Sequence, residues 1–93
     1  MAQNTSIQIP QYEWTQITDA DVTSITFQNV GGNSISIKGT VNTTAPTNAD
    51  GALRYHQGRG ERNVSLSDLF PGIVAVRLWA YSEGGSHVAV SHA

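Results

Sequence analysis

The sequence predicts an all-β domain, a small Greek-key β-sandwich or jelly-roll-like barrel of about seven strands with one short helical turn. Three observations carry that expectation. Ile, Val and Thr make up 24 of the 93 residues, and β-branched side chains suit a pleated sheet while losing rotamer freedom in a helix. Apolar residues recur with a period of two in several short runs, and no segment shows the 3.6-residue period of a full helix. Nine glycines and three prolines help to separate these runs, at roughly the spacing of a small sandwich or barrel.

The elements follow in chain order. Residues 1–11 are mostly polar, with Ile7, Ile9 and Pro10. They are expected to be an N-terminal arm, either disordered or laid on a neighbour, ahead of a single β-domain over residues 12–93. Residues 12–17 alternate aromatic and polar side chains, which suggests a first strand, and Thr18-Asp19-Ala20-Asp21 then makes a turn. Ile25 and Phe27 alternate with Thr26 and Gln28; Ile35, Ile37 and Val41 alternate with Ser34, Ser36 and Lys38. With Gly31-Gly32-Asn33 between them, these two runs read as a β-hairpin with one buried face.

Residues 42–51 have no hydrophobic period and contain Pro46. So long a connection is expected to cross from one sheet to the other. Residues 52–57 read as a short strand, Gly58-Arg59-Gly60 as a turn, and residues 62–67 as a strand with Val64 and Leu66 inward. Ser67-Asp68-Leu69-Phe70-Pro71-Gly72 reads as one capped helical turn stopped by Pro-Gly. Val76, Leu78 and Ala80 share one face of the next run; Arg77, Trp79 and Tyr81 share the other. Ser82-Glu83-Gly84-Gly85 turns the chain into a last strand with Val88 and Val90 inward, so a second hairpin is expected to mirror the first.

Composition narrows the function classes. Charged residues are 13% of the chain, against about 25% in an average globular protein. Serine and threonine supply 18 residues and asparagine six, so hydroxyls and amides coat the surface. Such a surface suits a protein packed among neighbours, where a buried unpaired charge is costly. It suits a plain soluble β-domain equally. Lys38 stands against Glu13, Asp19, Asp21 and Asp50 in residues 1–50; Arg54, Arg59, Arg62 and Arg77 stand against Glu61, Asp68 and Glu83 in the rest. Neither half is basic enough for nucleic-acid binding by counterion release. No apolar run has the length of a membrane span, and the N-terminus lacks the basic and apolar regions of a signal peptide. Neither a membrane partner nor secretion is expected, and synthesis is expected in the cytoplasm. Without cysteine there is no disulfide, thiolate zinc site or cysteine nucleophile. A 93-residue chain without such staples tends to lean on oligomerisation or a larger partner.

Few constellations carry chemistry. Arg77, Trp79 and Tyr81 are of the types enriched at interface hot spots; they read as a subunit interface, as the second buried face of a central strand, or as a sugar-stacking platform. Arg54, Arg59 and Arg62 fall within nine residues around Gly58 and Gly60. They could hold a phosphate or carboxylate, or simply decorate a turn. The segment is neither a dinucleotide fingerprint nor a P-loop. His56, His87 and His92 include no i, i+2 pair, so no metal site is expected. Asp19 and Asp21 read as turn formers. No nucleophile elbow is present, and neither a catalytic residue nor a cofactor is expected.

Several segments, Trp14-Thr15-Gln16-Ile17-Thr18-Asp19-Ala20-Asp21-Val22, Gly60-Glu61-Arg62-Asn63-Val64-Ser65-Leu66, Asp68-Leu69-Phe70-Pro71-Gly72, Arg77-Leu78-Trp79-Ala80-Tyr81 and the ending Val90-Ser91-His92-Ala93, resemble small accessory structural proteins of tailed bacteriophage virions. The likeness spans about residues 14–93, and its motifs are structural. It implies a β-rich head decoration or cement protein located on the virion, with the major capsid protein as partner and no enzyme activity. A homo-oligomer is expected, a trimer being favoured. Ile7, Ile9, Arg54, Arg59, Arg62, Arg77, Trp79 and Tyr81 are the expected contact residues. The alternatives are a tail or neck component and a carbohydrate-binding β-sandwich module.

Overall fold

Alternation of buried and exposed side chains sets the long strands. In β3 (Ser24–Asn29), Ile25, Phe27 and Asn29 are buried between more exposed neighbours. In β8 (Ser86–His92), Ser86, Val88, Val90 and His92 are buried and His87 and Ser91 exposed. The computed structural model describes residues 3–92 and adds β1 (Gln3–Ile9), β2 (Thr15–Gln16), β4 (Ile35–Thr40), β5 (Leu53–Tyr55), β6 (Gly60–Ser65), α1 (Leu66–Leu69) and β7 (Arg77–Tyr81). Met1, Ala2 and Ala93 lie outside the described residues.

The eight strands form two four-stranded sheets, ordered β1-β8-β3-β6 and β2-β7-β4-β5, with every named strand pair antiparallel. Pairing is nested: β4 with β5, β3 with β6, β2 with β7, and β1 with β8. This is one long antiparallel ribbon, rolled so that β8 also meets β3 and β7 also meets β4. Two four-stranded sheets from eight strands in this order make a jelly roll. The expected fold class holds, with eight strands among the described residues instead of about seven.

Three local expectations are corrected. The Gly31-Gly32-Asn33 segment does not close a hairpin, because β3 and β4 lie in different sheets. The amides of Val30 and Gly31 both donate to the His87 carbonyl, at 3.0 and 3.2 Å. The end of β3 therefore stays bound to β8 before the chain crosses. Gly31 has to be glycine, since a Cβ there would lie 2.1 Å from Ser86 Oγ. The second expected hairpin fails likewise, as β7 and β8 are in opposite sheets. Conversely, residues 42–51 stay within one sheet and join the paired strands β4 and β5. Asx turns shape this loop: Asn42 Oδ1 accepts from Thr44 N at 2.9 Å, and Asn48 Oδ1 from Asp50 N at 3.0 Å.

The expected arm is also revised. Residues 3–9 form β1, in register with β8 from Gln3↔His92 to Ile9↔Ser86. Ile9 is 1% exposed and belongs to the core. Two apolar residues in a polar heptapeptide suffice because only one face of the strand meets the sandwich interior.

The core between the sheets gathers Ile9, Ile25, Phe27, Val88 and Val90 from one sheet with Ile35, Ile37, Leu78 and Ala80 from the other. Ile17, Val22, Leu66 and Ala75 close its ends. The helical turn starts two residues earlier than expected: Ser65 caps α1 by accepting from Asp68 N at 3.2 Å, and Phe70-Pro71-Gly72 follows its end.

Thr18 is 3% exposed, and its buried hydroxyl has no hydrogen-bond partner among the described residues. An unpaired buried hydroxyl costs stability. Thr18→Val keeps the shape and removes the polar atom, so it should raise the unfolding free energy by about 1 kcal/mol. A urea titration reads this as a higher midpoint at unchanged slope.

Candidate functional site

The crossing turns gather at one end of the sandwich, and there they build a depression in the surface. Its volume is about 430 Å³, and it lies on the outer side of the β2-β7-β4-β5 sheet. Arg54 from β5, Ser36 from β4 and Tyr81 from β7 line it, with Glu83, Gly84, Asn33 and Ser34 from adjoining turns. Arg54 Nη2 lies 3.8 Å from Glu83 Oε1, with both side chains largely exposed. An exposed pair of this kind is worth little to stability, which leaves both groups available to a ligand or partner. Tyr81 leans on Trp14, with ring centroids 5.2 Å apart and a 37° tilt.

One polar residue fixes this end. The Asn29 side chain is fully buried. Its Nδ2 donates to the carbonyls of Asn33 (2.7 Å) and Tyr55 (3.0 Å). Its Oδ1 accepts from Ser86 Oγ (2.7 Å) and Gly31 N (3.2 Å). Asn33 in turn donates to the Gly85 carbonyl at 2.8 Å. Asn29 thus binds the β3–β4 turn, the end of β5 and the start of β8 to one another.

Tyr55 stiffens the same region. Its ring stands edge-on to Phe27 at 5.0 Å, and its hydroxyl donates to Glu61 Oε2 at 3.0 Å. Burial pushes the phenol above its ordinary value, and the Glu61 carboxylate pushes it further. A proton held more tightly in the folded state stabilises the fold fully below the unfolded tyrosine value of about 10. That contribution is lost as pH rises towards the raised folded value. Stability of the wild type should therefore fall more steeply above about pH 10 than that of Tyr55→Phe. Urea midpoints for the two proteins between pH 7 and 11 check it; parallel curves would contradict it.

The expected contact residues disperse. Arg54 and Tyr81 meet in the depression. Trp79 is 8% exposed, packed on the outer face of its sheet with Nε1 donating to Thr40 Oγ1 at 2.8 Å. It shows too little ring to act as a stacking platform. Arg77 pairs with Asp21 at 2.8 Å and ties β7 to residues 18–23. The three clustered arginines are not a shared cradle: Arg54 is in one sheet, Arg62 in the other, and Arg59 in the turn between. Ile7 is half-buried against the core. Among the described residues, no group of three or more His, Asp or Glu side chains could hold a metal ion.

The sequence reading missed Asn33 and Glu83 at the depression, and Trp14 behind its Tyr81. It also missed exposed apolar residues towards the opposite end. There Val76 N donates to the Thr40 carbonyl at 3.0 Å, which brings Val76 beside the end of β4 and Val41. Val74 is 80% exposed, Val41 56% and Ile73 46%. The signal was the unbroken apolar run 73–76, which overshoots the start of β7. No family model, curated protein or solved structure matches the chain.

Proposed function

We propose that this jelly roll is an accessory structural protein of a tailed-phage virion, a head decoration protein that adheres to the major capsid protein and works as a homo-oligomer. The resemblance of residues 14–93 suggests this class. The observation that carries the adhesive role is the exposure of three large apolar side chains, Val41, Ile73 and Val74, on the segments that flank β4 and β7 at that end. Exposed apolar clusters mark contact surfaces, and burying such side chains stabilises a complex by about 25 cal/mol per Å² before the costs of association. Jelly rolls serve both in capsids and in lectins, so the fold alone does not choose between them.

Particles lacking the chain should be more sensitive to heat or chelator, and purified protein should restore their resistance. Val74→Asp should restore it poorly while keeping the wild-type melting temperature, because Val74 is mostly exposed. Full restoration by Val74→Asp would remove these apolar side chains from the adhesive role.

The depression favours a second reading, a carbohydrate site. It offers the Tyr81 ring beside Arg54, Glu83 and Asn33, at a volume within the ordinary range for ligand sites. Trp14 touches Tyr81, so its fluorescence should change on titration with a bound glycan. A flat response across a broad glycan panel would oppose this reading.

A further inference from the structure

The four sheet edges are unequal, and the difference singles out one surface. An edge strand carries unpaired N–H and C=O groups that can template another strand. Monomeric proteins blunt such edges with charge, proline, bulges or short length. Here β2 has two residues and β5 three. The β6 edge carries Glu61 and Arg62, places Asn63 in the left-handed region at φ 46°, and breaks register against β3 between Ile25 and Phe27. These three edges are protected.

The β1 edge is not. It runs seven residues, Gln3–Ile9, in unbroken register with β8, and contains no charge and no proline. Asn4, Thr5, Ser6 and Gln8 are exposed. Thr5 shares the inward phase of Ile7 and Ile9 yet remains exposed. The facing edge strand β2 is too short to cover the N-terminal half of β1. One side of this edge therefore shows free backbone, and one face shows incompletely covered side chains.

We propose that β1 pairs antiparallel with β1 of a second copy, joining two β1-β8-β3-β6 sheets into one eight-stranded sheet across a two-fold axis. The occupant follows from self-complementarity. A two-fold pairing centred on Ser6 overlaps all seven residues. It sets Ser6 opposite Ser6, Asn4 opposite Gln8 and Thr5 opposite Ile7. Identical charges on β1 would repel in such a pair, and β1 has none. Asn4 and Gln8 are amides that can donate to and accept from each other. The partner copy also covers the exposed side of Ile7. A two-fold contact uses the same edge from both copies and closes on itself. A trimer built by edge pairing would need a second open edge on each copy, and among the described residues the blunted β6 is the only other one of comparable length. The inference stands apart from the proposed virion role: dimerisation is read in solution, the role on particles.

The test uses the full chain, which has no cysteine. Light scattering at about 100 µM should give twice the 9.9 kDa chain mass. Residues directly opposed in an antiparallel pair have Cα atoms about 4.5–5.5 Å apart, within disulfide reach. Ser6→Cys with oxidised glutathione should therefore crosslink nearly completely. Asn4→Cys should not, since its copies would lie about 14 Å apart at four strand positions. Ser6→Lys sets two ammonium groups face to face and should give a monomer with the wild-type circular dichroism spectrum. A wild-type monomer or trimer at that concentration would overturn the proposal. So would a dimer in which Ser6→Cys fails to crosslink or crosslinks no faster than Asn4→Cys.

Discussion

Asn29→Ala should lower the unfolding free energy by about 4 kcal/mol, because it removes four hydrogen bonds made by one buried side chain, at about 1 kcal/mol each. Oγ of Ser86, the amide of Gly31 and the carbonyls of Asn33 and Tyr55 all lose their bond to its side chain. Each unsatisfied buried group costs about 1–3 kcal/mol, less where water reaches it. The loss is a large part of the roughly 5–14 kcal/mol typical of a domain this size. Asn29→Asp should be comparably damaging, since a carboxylate keeps the acceptors, loses both donors and buries a charge. Asn48→Ala, in the exposed loop, is the control, with an expected effect within about 1 kcal/mol. Urea unfolding followed by tryptophan fluorescence measures all three. A loss below 1 kcal/mol for Asn29→Ala would show that the turns hold together without it.

Gly60→Ala should cost about 3 kcal/mol, for a different reason. Gly60 opposes Gln28 where β6 runs against β3. A Cβ at this position would lie 1.9 Å from the Phe27 carbonyl oxygen and 2.7 Å from Gln28 Cα. Both are backbone atoms of a central strand, so neither can swing aside as a side-chain tip could. Relief requires separating β6 from β3 at the point where Gly58 N donates to the Asn29 carbonyl at 2.7 Å. Gly32→Ala is the matched control, with nothing within 4 Å of its added Cβ and an expected effect within about 0.5 kcal/mol. Equal melting temperatures for the two variants would contradict the close approach.

These residues show where the sequence was legible. Period-two alternation identified β3, β4, β7 and β8 and the inward faces of Ile25, Phe27, Ile35, Ile37, Leu78, Ala80, Val88 and Val90. It could not identify strand partners. A glycine-rich turn between alternating runs suits a hairpin, yet it also suits a crossing between packed sheets; a hydrogen bond to a third strand decides. Here that bond is the pair of amides from Val30 and Gly31 to the His87 carbonyl, 56 or more residues away. Asn29 was detectable in principle as an amide at an inward position after Ile25 and Phe27. Such a residue has to be satisfied by partners, but its partners come from distant segments. The depression escaped because Arg54, Tyr81, Glu83 and Asn33 meet only after the ribbon rolls.

The short, unstapled chain noted in the sequence now has a structural counterpart. The jelly roll leaves Val41, Ile73 and Val74 and an unblunted edge uncovered, and both features fit a protein whose working unit includes neighbours. Under the proposed role those neighbours belong to a virion. Quantitative mass spectrometry of density-purified particles tests it most directly. This chain should be present in a fixed ratio to the major capsid protein, retained through repeated banding. Its absence from such particles, or a ratio that falls towards zero with each banding step, would contradict it.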